Sequence, residues 1–158
     1  MAAESPTAPD AQELLSGAAL TSFRLNGRFL AVAEAMARPA GLTAARWQVL
    51  GAVLHEPLTV SGIARAMGMT RQAVQRTADL LVGQGLAEYR PNPAHSRAKL
   101  FAPTEEGLAA VRGIGPAHGE FAARLADAMG PEELARTVEA MRRLADAVES
   151  LEEPDAGQ

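Results

Sequence analysis

Apolar residues recur at three- and four-residue steps over most of the chain, interrupted at a few points by Gly, Pro and small hydroxyl residues. From about Ala11 to Ala37, Leu14, Leu15, Ala18, Leu25, Phe29, Val32, Ala33 and Met36 follow the helical period, and Arg38-Pro39-Ala40-Gly41 stops it. These residues spread over more than one face, on a helix longer than so small a domain needs. That predicts packing against a partner chain as well as its own domain. Thr43 caps a second helix reaching about His55, with Trp47, Leu50, Val53 and Leu54 inward, and Pro57 breaks the pattern. Thr59 caps a third helix whose inner face is Val60, Ile63, Ala64 and Met67. A fourth, about Arg71 to Gly83, turns Val74, Ala78, Leu81 and Val82 inward and ends at Gly85.

The period then changes. Leu86 to Arg90 and Ala98 to Ala102 read as two short strands around a turn-forming, basic loop, Pro91-Asn92-Pro93-Ala94-His95-Ser96-Arg97. Thr104 caps a long helix with Glu105 and Glu106 in its first turn, where the helix dipole favours carboxylates. Gly113, Gly115, Pro116 and Gly119 predict a kink or break near Pro116. Gly130-Pro131 starts a last helix carrying the stripe Leu134, Val138, Met141, Leu144, Ala145, Val148 and Leu151. Residues 1–10 are expected to form a disordered tail and residues 152–158 an acidic one.

Within the third and fourth helices the spacing of Ala64, Gly68 and Val74 is that of a helix-turn-helix. Ala64 is small where the helices cross, Gly68 permits the positive φ of the turn, and Val74 plugs the second helix into the first. A helix-turn-helix followed by a hairpin predicts a mainly α fold with a small β wing. Length and a hydrophobic content of 47% suit one domain, or one domain plus an assembly surface.

Composition narrows the function. The chain has no cysteine, which excludes disulfides, zinc-thiolate sites and thiol redox sensing and fits a reducing compartment. No secretory leader pattern or membrane-spanning apolar run is found, so a cytoplasmic protein is expected. Net charge is −4, but it is unevenly placed. Between Thr59 and Phe101, six basic residues (Arg65, Arg71, Arg76, Arg90, Arg97, Lys99) face two acids (Asp79, Glu88), a local excess of +4 that leaves −8 on the rest of the chain. A basic middle on an acidic body suits a module that touches phosphate with one face. The competing reading is a solvated charged surface.

The outer face of the fourth helix carries Arg71, Gln72, Gln75, Arg76 and Asp79. Arg can pair with guanine O6/N7 and Gln with adenine N6/N7 in the major groove. A merely solvated helix would favour Glu–Lys pairs at four-residue spacing. Arg97, at the wing tip, is placed to enter a minor groove, whose negative potential attracts arginine. Lys99 is read as a phosphate contact or a solvated side chain. Enzyme readings find no footing. His55, His95 and His118 lie in unrelated segments, His118-Gly119-Glu120 lacks the cysteine half of a zinc-deaminase signature, and no phosphate loop or nucleophile elbow is present. No cofactor or metal is expected.

Ordered this way, the chain resembles the MarR family of winged helix-turn-helix regulators. The resemblance runs through LTAARWQVLGAV, TVSGIARAMGMTRQAVQRTADLLVGQGL and PNPAHSRAKLFAPTEEG. It implies a winged helix-turn-helix at about 43–103 inside a single domain at 11–151, with dimerisation helices at about 11–37 and 104–151. Recognition helices would enter successive major grooves of double-stranded DNA, and the wings would reach the flanking minor grooves. Thr70, Arg71, Gln72, Gln75 and Arg76 match the start of the family's recognition helix and Arg97 its wing arginine, with Lys99 beside it. Two positions depart. His95 stands where the family usually has the aspartate that orients the wing arginine, and Pro103 where it usually has leucine. Histidine is no fixed anion partner, which predicts a wing that is more mobile or a contact that depends on pH. The resemblance also implies a small aromatic or lipophilic effector, with Phe23, Phe29, Trp47 and the stretch near His118 as wall residues; aromatics at helical spacing also read simply as core.

The expected function is therefore a ligand-responsive homodimeric repressor on a pseudo-palindromic operator, and not an enzyme. The alternative is a winged-helix protein-interaction module without a DNA role.

Overall fold

The structure is a computed structural model describing residues 9–152; the tail expected at 1–10 lies outside the described residues but for its last two positions, and that at 152–158 but for Glu152. Asp10 caps α1 (Ala11–Ala37), its carboxylate accepting from the Gln12 N–H at 3.0 Å. A 3₁₀ turn at Arg38–Ala40 and Gly41, at φ 76°, end the run where the Arg-Pro-Ala-Gly stretch predicts. Three helices then begin the same way. In α2 (Ala44–Ala52), α3 (Val60–Met67) and α4 (Arg71–Gly83) a threonine hydroxyl accepts from the N–H three residues on: Thr43 from Arg46 at 3.2 Å, Thr59 from Gly62 at 3.0 Å, Thr70 from Ala73 at 3.2 Å. Each such cap is worth about 1 kcal/mol. The α2 N-terminus has a second partner in α1, where Glu34 Oε2 accepts from the Ala44 N–H at 2.7 Å.

The expected inner face of α2 needs correcting at its end. The last N–H groups bond three residues back, Val53 to Leu50 and Leu54 to Gly51, and this tightening rotates the chain out of helical register. Val53 stays buried, whereas Leu54 turns to solvent. The helix-turn-helix spacing is met by the geometry: Gly68 takes φ 61°, and Ala64 and Val74 are buried on either side of the turn.

Strands β1 (Ala87–Arg90) and β2 (Leu100–Pro103) pair antiparallel, from Ala87↔Pro103 to Arg90↔Leu100. They start one and two residues later than the pattern predicts. Leu86 is still engaged in ending α4, its N–H bonding the Leu81 carbonyl, and residues 98–99 belong to the loop. A third segment was not anticipated. Leu58 exchanges two backbone hydrogen bonds with Phe101, so the stretch leading into α3 pairs with the wing. Pro103 closes the β2 end, where a missing N–H is tolerated.

Two compact units divide within α5 (Glu105–Met129), residues 1–115 and 116–158. In the first, Leu42, Val49, Leu50, Val53, Ile63, Val74, Leu81, Phe101 and Ile114 form a continuous buried core. The start of α5 is fastened to the turn after α4. Thr104 donates its hydroxyl to the Gly85 carbonyl at 2.6 Å and its N–H to the Leu86 carbonyl at 3.1 Å, while its Oγ1 caps Gly107. In the second unit, the end of α5 and α6 (Pro131–Leu151) flank Gly130 at φ 85°. Of the kink or break predicted near Pro116, the break does not occur: proline removes a single N–H from the ladder, and residues 105–129 stay helical throughout. No residue of α6 is buried, and its stripe of Val138, Met141, Leu144 and Val148 is 37–46% exposed.

Two α5 glycines give a paired prediction. A β-carbon on Gly107 would lie 1.9 Å from the Leu86 carbonyl oxygen, whereas one on Gly113 would meet only the Ala40 β-carbon at 3.9 Å. Gly107→Ala should therefore cost at least about 3 kcal/mol, because backbone must move. Gly113→Ala should be neutral or stabilising by up to about 1 kcal/mol through helix propensity. Urea unfolding of both variants at one protein concentration reads the difference.

Candidate nucleic-acid interface

Placement of the outer α4 residues follows from what the helix buries. Val74, Ala78 and Leu81 are fully enclosed against the core, and that fixes the opposite face toward solvent. Arg71, Gln72, Gln75 and Arg76 are all exposed there. A concave surface of about 900 Å³ opens beside them. It is lined by Thr59, Val60 and Ser61 from the start of α3, Arg71, Gln72 and Gln75 from α4, Tyr89 from β1, and His95, Arg97 and Lys99 from the wing loop. Five of the seven residues expected to meet DNA converge on this surface. Of the other two, Thr70 is the exposed α4 cap and Arg76 lies on the exposed side of α4 outside the lining.

Charge on this face is uncompensated. Arg90 pairs with Glu88 at 2.8 Å, whereas Arg71, Arg76, Arg97 and Lys99 make no ion pair among the described residues. The loop carrying Arg97 is shaped by Asn92, whose side-chain oxygen accepts from the Ala94 N–H at 3.0 Å and whose carbonyl accepts from the His95 N–H at 3.2 Å. His95 lines the same surface as Arg97.

Tyr89, the chain's only tyrosine, carries a contact that periodicity did not reveal. Its hydroxyl donates to Asp79 Oδ1 at 2.5 Å, and the Gln75 amide nitrogen lies 2.9 Å from both. The recognition helix and the wing are thereby tied together by side chains. The strand pattern alone carried no signal for it, since the register that sets Tyr89 opposite Phe101 depends on pairing across the wing. Its ring meets the Phe101 ring edge-on, centroids 6.0 Å apart. Burial pushes the phenol from 10.0 up to about 12, the hydrogen bond and negative charge of Asp79 add to the rise, and Gln75 opposes it.

The expected effector residues are scattered differently. Phe23 and Phe29 are 72% and 48% exposed on α1, and Trp47 packs against the core of the first unit. His118 lies on the α5 segment of the second unit and is exposed.

The family model described as MarR family matches residues 40–98, the span from the end of the 3₁₀ turn through the wing loop. An uncharacterized protein of Mycobacterium tuberculosis is 42% identical over 122 residues, covering 77% of this chain and 85% of the relative. The chain belongs to the MarR family. Solved structures agree on the fold. The M. tuberculosis regulator MosR in complex with DNA superposes with a TM-score of 0.72 at 23% identity, covering 85% of this chain and 98% of that one. Bordetella bronchiseptica BpsR, whose DNA binding is regulated by 6-hydroxynicotinic acid, does so at 0.70 and 21%, covering 82% and 98%. MarR transcription regulators are non-enzymatic. No helix among the described residues of this MarR protein is long and apolar enough to cross a membrane.

The phenol gives a prediction with a defined sign. A folded-state value above the unfolded 10.0 means that the stabilisation is complete below pH 10 and is lost as pH rises from 10 through about 12. Absorbance at 295 nm, corrected for Trp47, should report one tyrosinate transition near 12 in native protein and near 10 in denaturant. Asp79→Asn should move the native midpoint down, since it removes the carboxylate charge.

Proposed function

We propose that this MarR protein is a cytoplasmic, ligand-responsive homodimeric repressor that binds a pseudo-palindromic operator. The observation that carries the reading is the convergence of uncompensated Arg71, Arg97 and Lys99 with Gln72 and Gln75 on one concave face. Unpaired cations supply phosphate contacts and counterion release, and the amides supply groups for base edges. Thr70, at the helix start, offers its hydroxyl and nearby N–H groups to a phosphate. Arg76 takes a flanking phosphate or base, and Arg97 enters the minor groove from the wing.

Assembly is supported by apolar helix surface that each unit leaves exposed. On α1 these are Leu14, Leu15, Leu20 and Phe23, and on α6 Met141, Leu144 and Val148. In the proposed organisation residues 43–103 form the DNA-reading module, and 11–37 and 104–151 supply the dimer helices. Two-fold symmetry then sets half-site centres roughly 34 Å apart. Ligand response is supported by the likeness to BpsR. Phe23, Phe29, Trp47 and His118 are the proposed contacts for a small aromatic or lipophilic effector. Such a ligand releases DNA if it favours the arrangement of recognition helices that binds DNA less well.

Fluorescence anisotropy with a duplex from upstream of the protein's own gene, at low and near-physiological salt, examines the DNA reading. Sequence-dependent binding with a steep salt slope is expected. Arg97→Ala and Arg76→Ala should each weaken binding about tenfold or more, and a phosphate-contacting residue of the two should lower the salt slope by about one. No binding even at low salt would instead favour a protein-docking surface, and binding untouched by both substitutions would place the recognition face elsewhere.

The dimer is addressed separately. Leu144→Glu places a charge in the proposed apolar interface and should weaken self-association at least about tenfold in sedimentation equilibrium. An unchanged association constant would remove α6 from the interface.

A further inference from the structure

Gln75 is the residue of the α4 face whose amide is already engaged within the chain. Its Nε2 lies 2.9 Å from Asp79 Oδ1 and 2.9 Å from the Tyr89 hydroxyl, while that hydroxyl donates to the same Oδ1. Elementary chemistry decides which way the amide faces. A carboxylate only accepts, and a hydroxyl that has given its proton to Asp79 has only lone pairs left. Both neighbours therefore require the amide nitrogen; an amide oxygen turned toward them would meet two acceptors. The phenol holds its proton throughout the physiological range, its value being about 12. Among the described residues the side-chain oxygen of Gln75 has no hydrogen-bond partner, on a residue that lines the concave face.

We propose that Asp79 and Tyr89 set how Gln75 reads DNA by holding its amide oxygen forward, so that it accepts from the exocyclic amine of an adenine or cytosine and does not turn to donate. The inference rests on the reading of this face as a DNA interface and deepens it. In the major groove the amines are adenine N6 and cytosine N4, and the acceptors are purine N7, guanine O6 and thymine O4. Each base pair carries one such amine, so the forward oxygen fixes which strand supplies the contact. An unrestrained glutamine can turn its amide over and donate to N7, O6 or O4 instead. A clamped one must first give up its contacts to Asp79 and Tyr89, leaving the carboxylate and phenol less satisfied.

The clamp is itself anchored. Tyr89 stands opposite Phe101 in the wing ladder, and the Phe101 ring it touches is fully buried. Asp79 is one turn beyond Gln75 on α4, so the same carboxylate can reach both partners. Asp79 and Tyr89 act here as positioning residues, and Gln75 is the reader.

Selection from a randomised duplex library by the full-length wild type and Gln75→Ala, sequenced after each round, finds the position that Gln75 reads. Gln75→Ala should flatten one position per half-site and no other. On the selected duplex the exocyclic amine of that pair is then removed, with purine in place of adenine or 2-pyrimidinone in place of cytosine, and in a separate duplex N7 is removed with a 7-deazapurine. Loss of the amine should weaken wild type about tenfold more than Gln75→Ala, and loss of N7 should act on both alike. Tyr89→Phe, which keeps the ring against Phe101, and Asp79→Ala should each be less sensitive to loss of the amine than wild type. Wild type no more sensitive to loss of the amine than Gln75→Ala would overturn the inference. So would the absence of any position that responds to Gln75→Ala, or Tyr89→Phe and Asp79→Ala that respond to both duplexes as wild type does. A wild type that enriches no sequence at all would overturn the DNA reading together with the inference, whereas an enriched motif whose Gln75-dependent pair is insensitive to loss of its amine overturns the inference alone.

Discussion

Phe101 is the residue on which the interface depends. Its ring is fully enclosed in the core, its backbone exchanges two hydrogen bonds with Leu58 (2.7 and 3.2 Å), and its ladder partner is Tyr89. A two-stranded hairpin of four-residue strands is marginal alone in water. Here the second strand is nailed down on both sides, by β1 and by the segment that enters α3. The start of α3, which lines the concave face through Thr59, Val60 and Ser61, is thereby built into the same small sheet as the wing. Through Tyr89 that rigidity extends to Asp79 and Gln75. The helix that would read bases and the wing that would track the backbone therefore have a defined spacing.

A second constraint acts at the base of the wing. The chain leaves α4 at Gly85, forms β1 and β2, and returns to start α5 at Thr104, whose hydroxyl and N–H grip Gly85 and Leu86. Gly107 completes this junction, since any side chain there would collide with the Leu86 carbonyl. Charge is arranged on this frame with little internal neutralisation. The Thr59–Phe101 segment carries its excess of +4 on a chain of net −4, which orients approach to a polyanion as well as binding it. Asp79 is the acid that interrupts the α4 face, and it is occupied by Tyr89 and Gln75.

What could be read in the sequence was whatever local chemistry determines. Thr43, Thr59, Thr70 and Thr104 cap helices because a hydroxyl three residues from an orphan N–H suffices, whatever surrounds it. Gly68 marks its turn because the positive φ is a property of that residue. The fold class follows, as do the α1, α3 and α4 boundaries. Less legible were features set by contacts between distant segments. Leu54 follows the helical period but lies past a tightened last turn, and Leu58 pairs with a residue far along the chain. Pro116 signals a break that the neighbouring turns override. In the interface, composition of the α4 face and wing pointed to Arg71, Gln72, Gln75, Arg76, Arg97 and Lys99, and all of these but Arg76 line one concave face. The state of Gln75 did not follow from composition, because it depends on a tyrosine 14 residues away on a strand.

The exposure of α6 bears on how such a molecule is stabilised. A helix of 21 residues with no buried side chain gains little from its own chain, and helices of that kind are marginal when unpacked. Yet its apolar residues recur on a helical stripe, Met141, Leu144 and Val148 among them, which is wasteful for a solvated helix and useful for a packed one. On the proposed dimeric reading, order in α6 is linked to association, so stability rises with protein concentration. Any ligand that alters how the helices of a dimer pack then alters two equilibria at once, subunit association and operator binding. Reciprocity follows: an operator that prefers one arrangement of the dimer must weaken the effector that prefers the other by the same factor.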